Sequence, residues 1–425
     1  MTVTEKRDRR SVYCNLCIAM IWCIAAYSSI IQSKFFQISN GMLILGAAIL
    51  VFYILTFVSG SLTIQEMLTE ENGFMLAFMI YILIVGLLFS PNRANHLSQW
   101  ITSLEYLFIQ IVLASIIKRF GTITFHGLLV VLAIIIAVVF INEPVNYLGT
   151  GRYSISNEVN PNGLGMGFAA GIWAVLYFQQ KTKVPLILVG LLVALFGYCI
   201  IMTGSRKSII GGGLAIVIWL IFCYIPSLKG KGLFFGIISV LVMALLIIII
   251  GKVLLNIYEN LGIAERMNNL LVETADGNRR NMYRDGIELL KENPLFGLGF
   301  SGFKYFFGFY SHATLVEIPV SGGVCGVLLY LYVYYISIKK QIRIFTITKE
   351  KKDYYSEHKR IKMIMILFTM MVFYTTCIIH PYQFDSSILF GIIFGETAYL
   401  ENKIRVEQET TTPSRRIGSK YIRYE

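Results

Sequence analysis

Residues 184–226 read VPLILVGLLVALFGYCIIM (184–202), TGSRK (203–207) and SIIGGGLAIVIWLIFCYIP (208–226). Each apolar run is close to the ~20 residues with which an α-helix crosses a bilayer. The polar break is too short to leave a membrane surface, so Arg206 is expected at or just inside the lipid boundary. There a charge costs less than the roughly 2.5–3.5 kcal/mol it costs at a helix centre, but the cost is not zero. The stretch predicts a helical hairpin with a charged tip, and hence an all-α polytopic membrane protein.

The rest of the chain repeats the pattern. Apolar residues make up 56% of the 425 and charged residues 15%, too little charge for a soluble surface of this size. About twelve stretches approach spanning length: 12–31, 42–60, 74–90, 99–117, 122–142, 163–180, 184–203, 208–226, 232–254, 315–338, 361–380 and 387–400. The first is not expected to be a cleaved signal, because no small-residue cleavage site follows it.

Basic residues set the orientation. With Lys6, Arg7, Arg9 and Arg10 inside, 25 of the 37 Lys and Arg fall on the inner side and 12 outside. Both termini are then cytoplasmic. The segment with Glu66, Glu70 and Glu71 holds no basic residue and is the one loop that disagrees. The net charge of +12 needs no nucleic acid, since most of it lies beside anionic lipid. The chain reads as a single integral membrane domain, 1–425, without soluble domain or repeat. It has a first long outside loop at 143–162, a larger one at 255–314, a basic cytoplasmic loop at 339–360, and a tail at 401–425 expected to be disordered.

Most of the seven cysteines fall inside apolar spans, among them Cys17, Cys23, Cys199, Cys223, Cys325 and Cys377. Cys14 and Cys17 form a lone C-x-x-C, read as packing; no metal site is expected. In the larger loop, 256–272 suits a helix lying flat on the bilayer. Residues 279–292 suit a second helix with Met282, Ile287, Leu289 and Leu290 as its apolar set, ended by Asn293-Pro294. Gly297, Gly299 and Gly302 then mark turns, and the aromatics Phe303 to Tyr310 suit an interface.

The outside cations are concentrated. Arg152 lies in the first long loop, Arg206 and Lys207 in the tight turn, and Arg279, Arg280 and Arg284 on the second loop helix, where 280 and 284 share a face. His312 closes that loop; His96 and His380 are the other outside histidines. Arginine's planar fork suits phosphate, and histidine accepts protons near neutral pH. The set outlines a site that holds a pyrophosphate leaving group and takes a proton from a hydroxyl. Plainer readings stand beside it. Arg206 could be an interface anchor, and the loop-helix arginines could pair with Asp276, Asp285 and Glu288. Arg152 could be an ordinary loop charge, and His312 and His380 helix-end residues.

On these residues the chain resembles the O-antigen ligase and polymerase family, which includes Wzy-type polysaccharide polymerases. Gly151-Arg152-Tyr153 with Asn160-Pro161-Asn162-Gly163-Leu164-Gly165 resembles its Arg…Pro-Asn-x-x-Gly loop, and Thr203-Gly204-Ser205-Arg206 its Thr-Gly-Ser-Arg turn. Arg279 with Tyr283, then Asn293-Pro294-Leu295-Phe296-Gly297-Leu298-Gly299, then His312 with Gly323 and Gly326, resembles its third element. Motif likeness covers about 150–326, and Ala313 stands where the family commonly has Asn.

The resemblance implies a GT-C-like glycosyltransferase of the bacterial plasma membrane, without metal or cofactor, with its site on the extracytoplasmic face. It implies His312, Arg206 and Arg279 as catalytic, and Arg152, Arg280, Arg284, Lys207, Tyr283 and Asn162 as substrate-binding. The substrate would be an oligosaccharide on undecaprenyl pyrophosphate, moved with inversion onto a lipid-linked repeat unit (polymerase) or onto lipid A core (ligase). Other implied partners are membrane lipid, a flippase and a chain-length regulator. A transporter or flippase is the rival from another class, though carriers more often place charge at the bilayer midplane between related halves.

Overall fold

The computed structural model describes residues 51, 54, 68–121, 123–147, 152–156, 159–181, 184–227, 275–350 and 352–411. These residues form an α-helical bundle. In chain order the helices are α1 (Glu70–Phe89), α2 (Arg93–Phe120), α3 (Ile123–Asn142), α4 (Pro161–Lys181), α5 (Leu186–Met202) and α6 (Arg206–Trp219), which runs into a π-turn at Leu220–Tyr224. Then come α7 (Ala275–Glu292), α8 (Gly302–Phe307), α9 (Thr314–Glu350), α10 (Tyr355–Thr375) and α11 (Phe384–Thr411). The two short strands, β1 (Val145–Asn146) and β2 (Tyr153–Ser154), pair antiparallel between α3 and α4.

Among the described residues, α1, α2, the α6–π-turn unit and α9 are long and apolar enough to cross a membrane, and α5 is a shorter apolar helix. With α3, α4, α10 and α11 they coincide with nine of the expected stretches. The other three, 12–31, 42–60 and 232–254, lie outside the described residues apart from Val51 and Ile54, as do Cys14, Cys17 and the expected flat helix at 256–272. The expected second loop helix is α7. The segment 339–360 is largely helical, because α9 continues to Glu350 and α10 starts at Tyr355. The tail expectation is corrected over 401–411, which continue α11, while 412–425 lie outside the described residues.

Small residues set the packing. Helix α4 carries Gly163, Gly165, Ala169, Ala170, Gly171 and Ala174, and it is buried against α3, α5, α6 and α10. Helices α2 and α11 approach where Gly391 faces the Gln110 carbonyl and Gly395 the Ala114 carbonyl, so that an added Cβ would sit 3.1 and 2.8 Å away. Such small-x-x-x-small seams let helices pack closely in lipid, where no hydrophobic force drives them together. Ile80, Ile84 and Leu88 of α1, Ile187 and Leu191 of α5, and Leu328 and Leu331 of α9 are exposed, an apolar outer surface of the kind lipid covers.

One end of the bundle is tied by charge. Lys340 of α9 lies 3.0 Å from Glu70, 3.2 Å from buried Glu71 and 4.0 Å from Glu401 of α11. The segment around Glu70 and Glu71 has no basic residue of its own because its cation comes from α9. Arg360 of α10 pairs with buried Glu396 of α11 at 2.6 Å, and Lys403 pairs with Glu357. The other end holds the candidate site.

Helix α9 is broken at Gly323 (φ 58°, ψ −162°). In an unbroken helix Val324 and Cys325 would donate to the carbonyls of Val320 and Ser321. Instead those carbonyls accept from Leu298 and Gly299 (both 2.8 Å), and the two amides donate to Pro294 and Leu295 (2.8 and 3.2 Å). The Pro294–Gly299 segment is spliced into the break with every one of these groups satisfied, as a low-dielectric surrounding requires.

Candidate functional site

The first contacts bring together two of the sequence motifs. Arg152, just before β2, donates from Nε to the Thr203 carbonyl (3.1 Å) and from Nη2 to Asn162 Oδ1 (2.7 Å). The Asn162 amide is in turn held by Asn160 Oδ1 (2.9 Å). One guanidinium thus bridges the start of α4 and the turn between α5 and α6.

That turn is closely built. Thr203 Oγ1 donates to the Ile200 carbonyl (2.6 Å) and accepts from the Ser205 amide (3.3 Å). Gly204 has φ 60°, with the Arg152 stem against it. Gly165 of α4 lies directly beneath, where a Cβ would be 2.7 Å from Ser208 Oγ and 2.9 Å from Thr203 Oγ1. Ser205 is the N-cap residue of α6 without capping it, since its hydroxyl bonds Ser208 Oγ (2.8 Å). The N-terminus of α6 therefore offers its positive dipole end and backbone amides, an arrangement suited to an anion.

Arg206, the first residue of α6, is half-buried and makes no ion pair or hydrogen bond among the described residues. Lys207 donates to the carbonyl of Cys377, in the turn after α10. The next carbonyl, Ile378, accepts from both the amide (2.8 Å) and the hydroxyl (2.5 Å) of Thr314, the first residue of α9. Thr314 Oγ1 also accepts from the His380 amide (2.9 Å).

His312 lies two residues before Thr314, exposed and with φ 52°. Behind it Glu317 is fully buried. Its Oε2 accepts from the hydroxyl of Ser311 (2.7 Å) and its amide (3.4 Å), and its Oε1 accepts from the Tyr382 hydroxyl (3.1 Å). Tyr382 accepts from the amide of Ser301 (3.4 Å).

Helix α7 packs on the first turns of α9. Met282 and Leu289 join a cluster with Leu298, Phe303, Ala313, Val316 and Val320, and Gly286 sits so close to Val316 that a Cβ would be 2.5 Å from Cγ1. Positions 279, 282, 286 and 289 share one register. Arg279 and Arg280 are on this helix. Arg284 is exposed and lies 3.6 Å from Asp285, the plainer reading of that residue. Tyr283 is 37% exposed on the same helix.

The other two histidines expected outside, His96 and His380, are buried. His96 Nδ1 accepts from the Phe300 amide (3.0 Å). His380 bridges Tyr330 (2.8 Å) and Gln110 (3.3 Å), and Gln110 bonds Asn72 (2.8 Å). Both serve the scaffold. Beside the Arg152 corner an apolar cavity of about 230 Å³ opens between α3, α4 and α11, lined by Leu132, Ile136, Leu164 and Leu389, with Asn160 and Asp385 as polar groups.

The site thus joins Arg152, Asn162, the Thr203–Lys207 turn and the His312 turn at one end of the bundle, with α7 laid beside them. Glu317, Ser311, Tyr382 and the Cys377–Ile378 carbonyls are parts that sequence reasoning had not assigned. A family described as O-Antigen ligase has a sequence model that matches residues 191–331. The match runs from within α5 into α9 and takes in the α5–α6 turn, α7 and His312. No curated protein matches the chain.

Proposed function

We propose, from the match of residues 191–331 to the family described as O-Antigen ligase, that the chain is a polysaccharide polymerase of the O-antigen ligase/polymerase family. In this reading it transfers a glycan from undecaprenyl pyrophosphate to a sugar hydroxyl of a lipid-linked repeat unit on the outer face of a bacterial plasma membrane. The observation that carries the reading is the joining of the α5–α6 turn to the His312 turn through the consecutive carbonyls of Cys377 and Ile378.

The chemistry follows from the parts. Pyrophosphate is already a good leaving group and needs its developing charge neutralised. Arg206, without a partner among the described residues and at the uncapped N-terminus of α6, supplies that charge where water is scarce. Arg279 and Arg280 on α7 add to it, and Arg152 fixes the turn that carries Arg206. His312, exposed at the end of its turn, accepts the proton of the attacking hydroxyl. A single direct displacement inverts the anomeric carbon and needs no carboxylate pair. The apolar cavity beside Asn160 takes part of a lipid chain.

The ligase reading shares every one of these steps and differs only in the acceptor. The Ile- and Tyr-rich composition hints at an AT-rich genome and inclines the choice toward a capsule or exopolysaccharide polymerase. The test uses cells lacking the chain, complemented with variants. His312→Ala and Arg206→Ala should abolish high-molecular-weight polysaccharide while lipid-linked single repeat units accumulate and the protein stays in the membrane. Full-length polymer from either variant would remove that residue from the mechanism. Loss of glycan-capped lipid A with free polymer retained would favour the ligase, and repeat units stranded on the inner leaflet would favour a flippase.

A further inference from the structure

We propose that Glu317 is a positioning residue that, with Tyr382, holds the backbone of Ser311–Ala313 in the turn that presents His312. It rests on the reading of His312 as proton acceptor and adds the device that fixes it. His312 has φ 52°, a region that non-glycine residues enter only at a cost and keep only where the surroundings over-determine them. Here the residues on both sides are pinned. On the C-terminal side the amide and hydroxyl of Thr314 close on the Ile378 carbonyl. On the N-terminal side the amide and hydroxyl of Ser311 converge on one carboxylate oxygen of Glu317, and the same hydroxyl lies 3.2 Å from the Ala313 carbonyl.

Glu317 is an unusual choice for a merely structural cap. It is fully buried, and no lysine or arginine pairs with it among the described residues. A buried carboxylate without a cation is costly unless hydrogen bonds saturate it. Three donors meet it: the hydroxyl and amide of Ser311 and the hydroxyl of Tyr382. Tyr382 in turn steadies Ser301, itself at φ 64°. The carboxylate thus ties the 301–312 segment, α9 and the turn before α11 to one point, two bonds of which act on the residue preceding His312.

The experiment uses the full-length protein in proteoliposomes, with lipid-linked oligosaccharide extracted from cells lacking the chain as substrate. Glu317→Ala should lower kcat about 100-fold, the scale of an ångström-sized misplacement, with KM within about twofold. Glu317→Gln, whose amide oxygen still accepts from Ser311, should stay within about tenfold of wild type. In the His312→Ala background, Glu317→Ala should cause no further loss. Amide hydrogen exchange should rise at 311–313 in Glu317→Ala. Unchanged exchange there overturns the clamp whatever His312 does, as does wild-type kcat in Glu317→Ala. Full activity of His312→Ala would instead remove the proposed function while leaving the exchange result to decide the clamp. Should Glu317→Ala fail to fold, Ser311→Ala removes one of the two bonds from the other end and should give a smaller change of the same kind.

Discussion

Lys207 and Thr314 are fastened to neighbouring carbonyls of one loop, Cys377 and Ile378, whose Cα atoms are about 3.8 Å apart. The loop after α10 is therefore the part that sets the spacing between the Arg206 turn and the His312 turn. Thr314→Val keeps the shape of the side chain but removes the hydroxyl that serves both the Ile378 carbonyl and the His380 amide. It is expected to lower polymer synthesis about tenfold or more, with little change in the amount of protein in the membrane. Quantitative gel analysis of polysaccharide against immunodetected protein checks it. Unchanged synthesis would mean that the Thr314 hydroxyl does not set the spacing.

Arg152 uses two different nitrogens on two different partners, the Thr203 carbonyl and Asn162 Oδ1. A lysine ammonium cannot reproduce that fork. Arg152→Lys is therefore expected to behave like Arg152→Ala, each lowering activity about tenfold or more. Were charge alone the requirement, lysine would restore most of the activity. The same assay distinguishes the two outcomes.

Two glycines make stability tests. A Cβ at Gly165 would meet the hydroxyls of Ser208 and Thr203 at 2.7 and 2.9 Å, so Gly165→Ala should cost about 1–3 kcal/mol and displace the Arg206 turn. Gly323→Ala should be worse. Its φ and ψ belong to a region essentially closed to other residues, and a Cβ there would lie 2.4–2.5 Å from the Leu295 carbonyl group. Thermal unfolding of the purified protein in detergent should rank wild type above Gly165→Ala above Gly323→Ala.

Much of the bundle is legible in the sequence because apolar length is its own signal in a membrane protein. The break at Thr203–Lys207 is equally legible, since five polar residues between two spans leave little choice of place. What escapes is pairing at a distance. Nothing local in Pro294–Gly299 announces that its backbone will replace two helical hydrogen bonds of α9, although Gly323 is the residue that permits it. Nothing near Glu70 and Glu71 announces Lys340. Glu317 carried a signal, because a carboxylate in the first turn of an apolar span calls for a partner or a purpose. Its partners, Ser311 and Tyr382, come from opposite sides of the span and only the fold brings them together. Arg284 shows the converse: its spacing marks it for a shared face with Arg280, yet its described contact is its own neighbour Asp285.

The charged end gives the sharpest stability test. The Glu71 side chain is fully buried, and Lys340, itself 14% exposed, stands 3.2 Å from it. Removing the lysine leaves a carboxylate in the bundle without its cation, a change that costs about 3–5 kcal/mol where the alternative is an uncompensated buried charge. Lys340→Met should therefore lower the melting temperature markedly and reduce the protein recovered from membranes. Glu71→Gln in the same chain removes the stranded charge and should restore most of that loss, so the double variant is expected to be more stable than Lys340→Met alone. A double variant no better than the single one would mean that Lys340 acts through Glu70 and Glu401, the partners nearer the surface, and that Glu71 tolerates its burial without it.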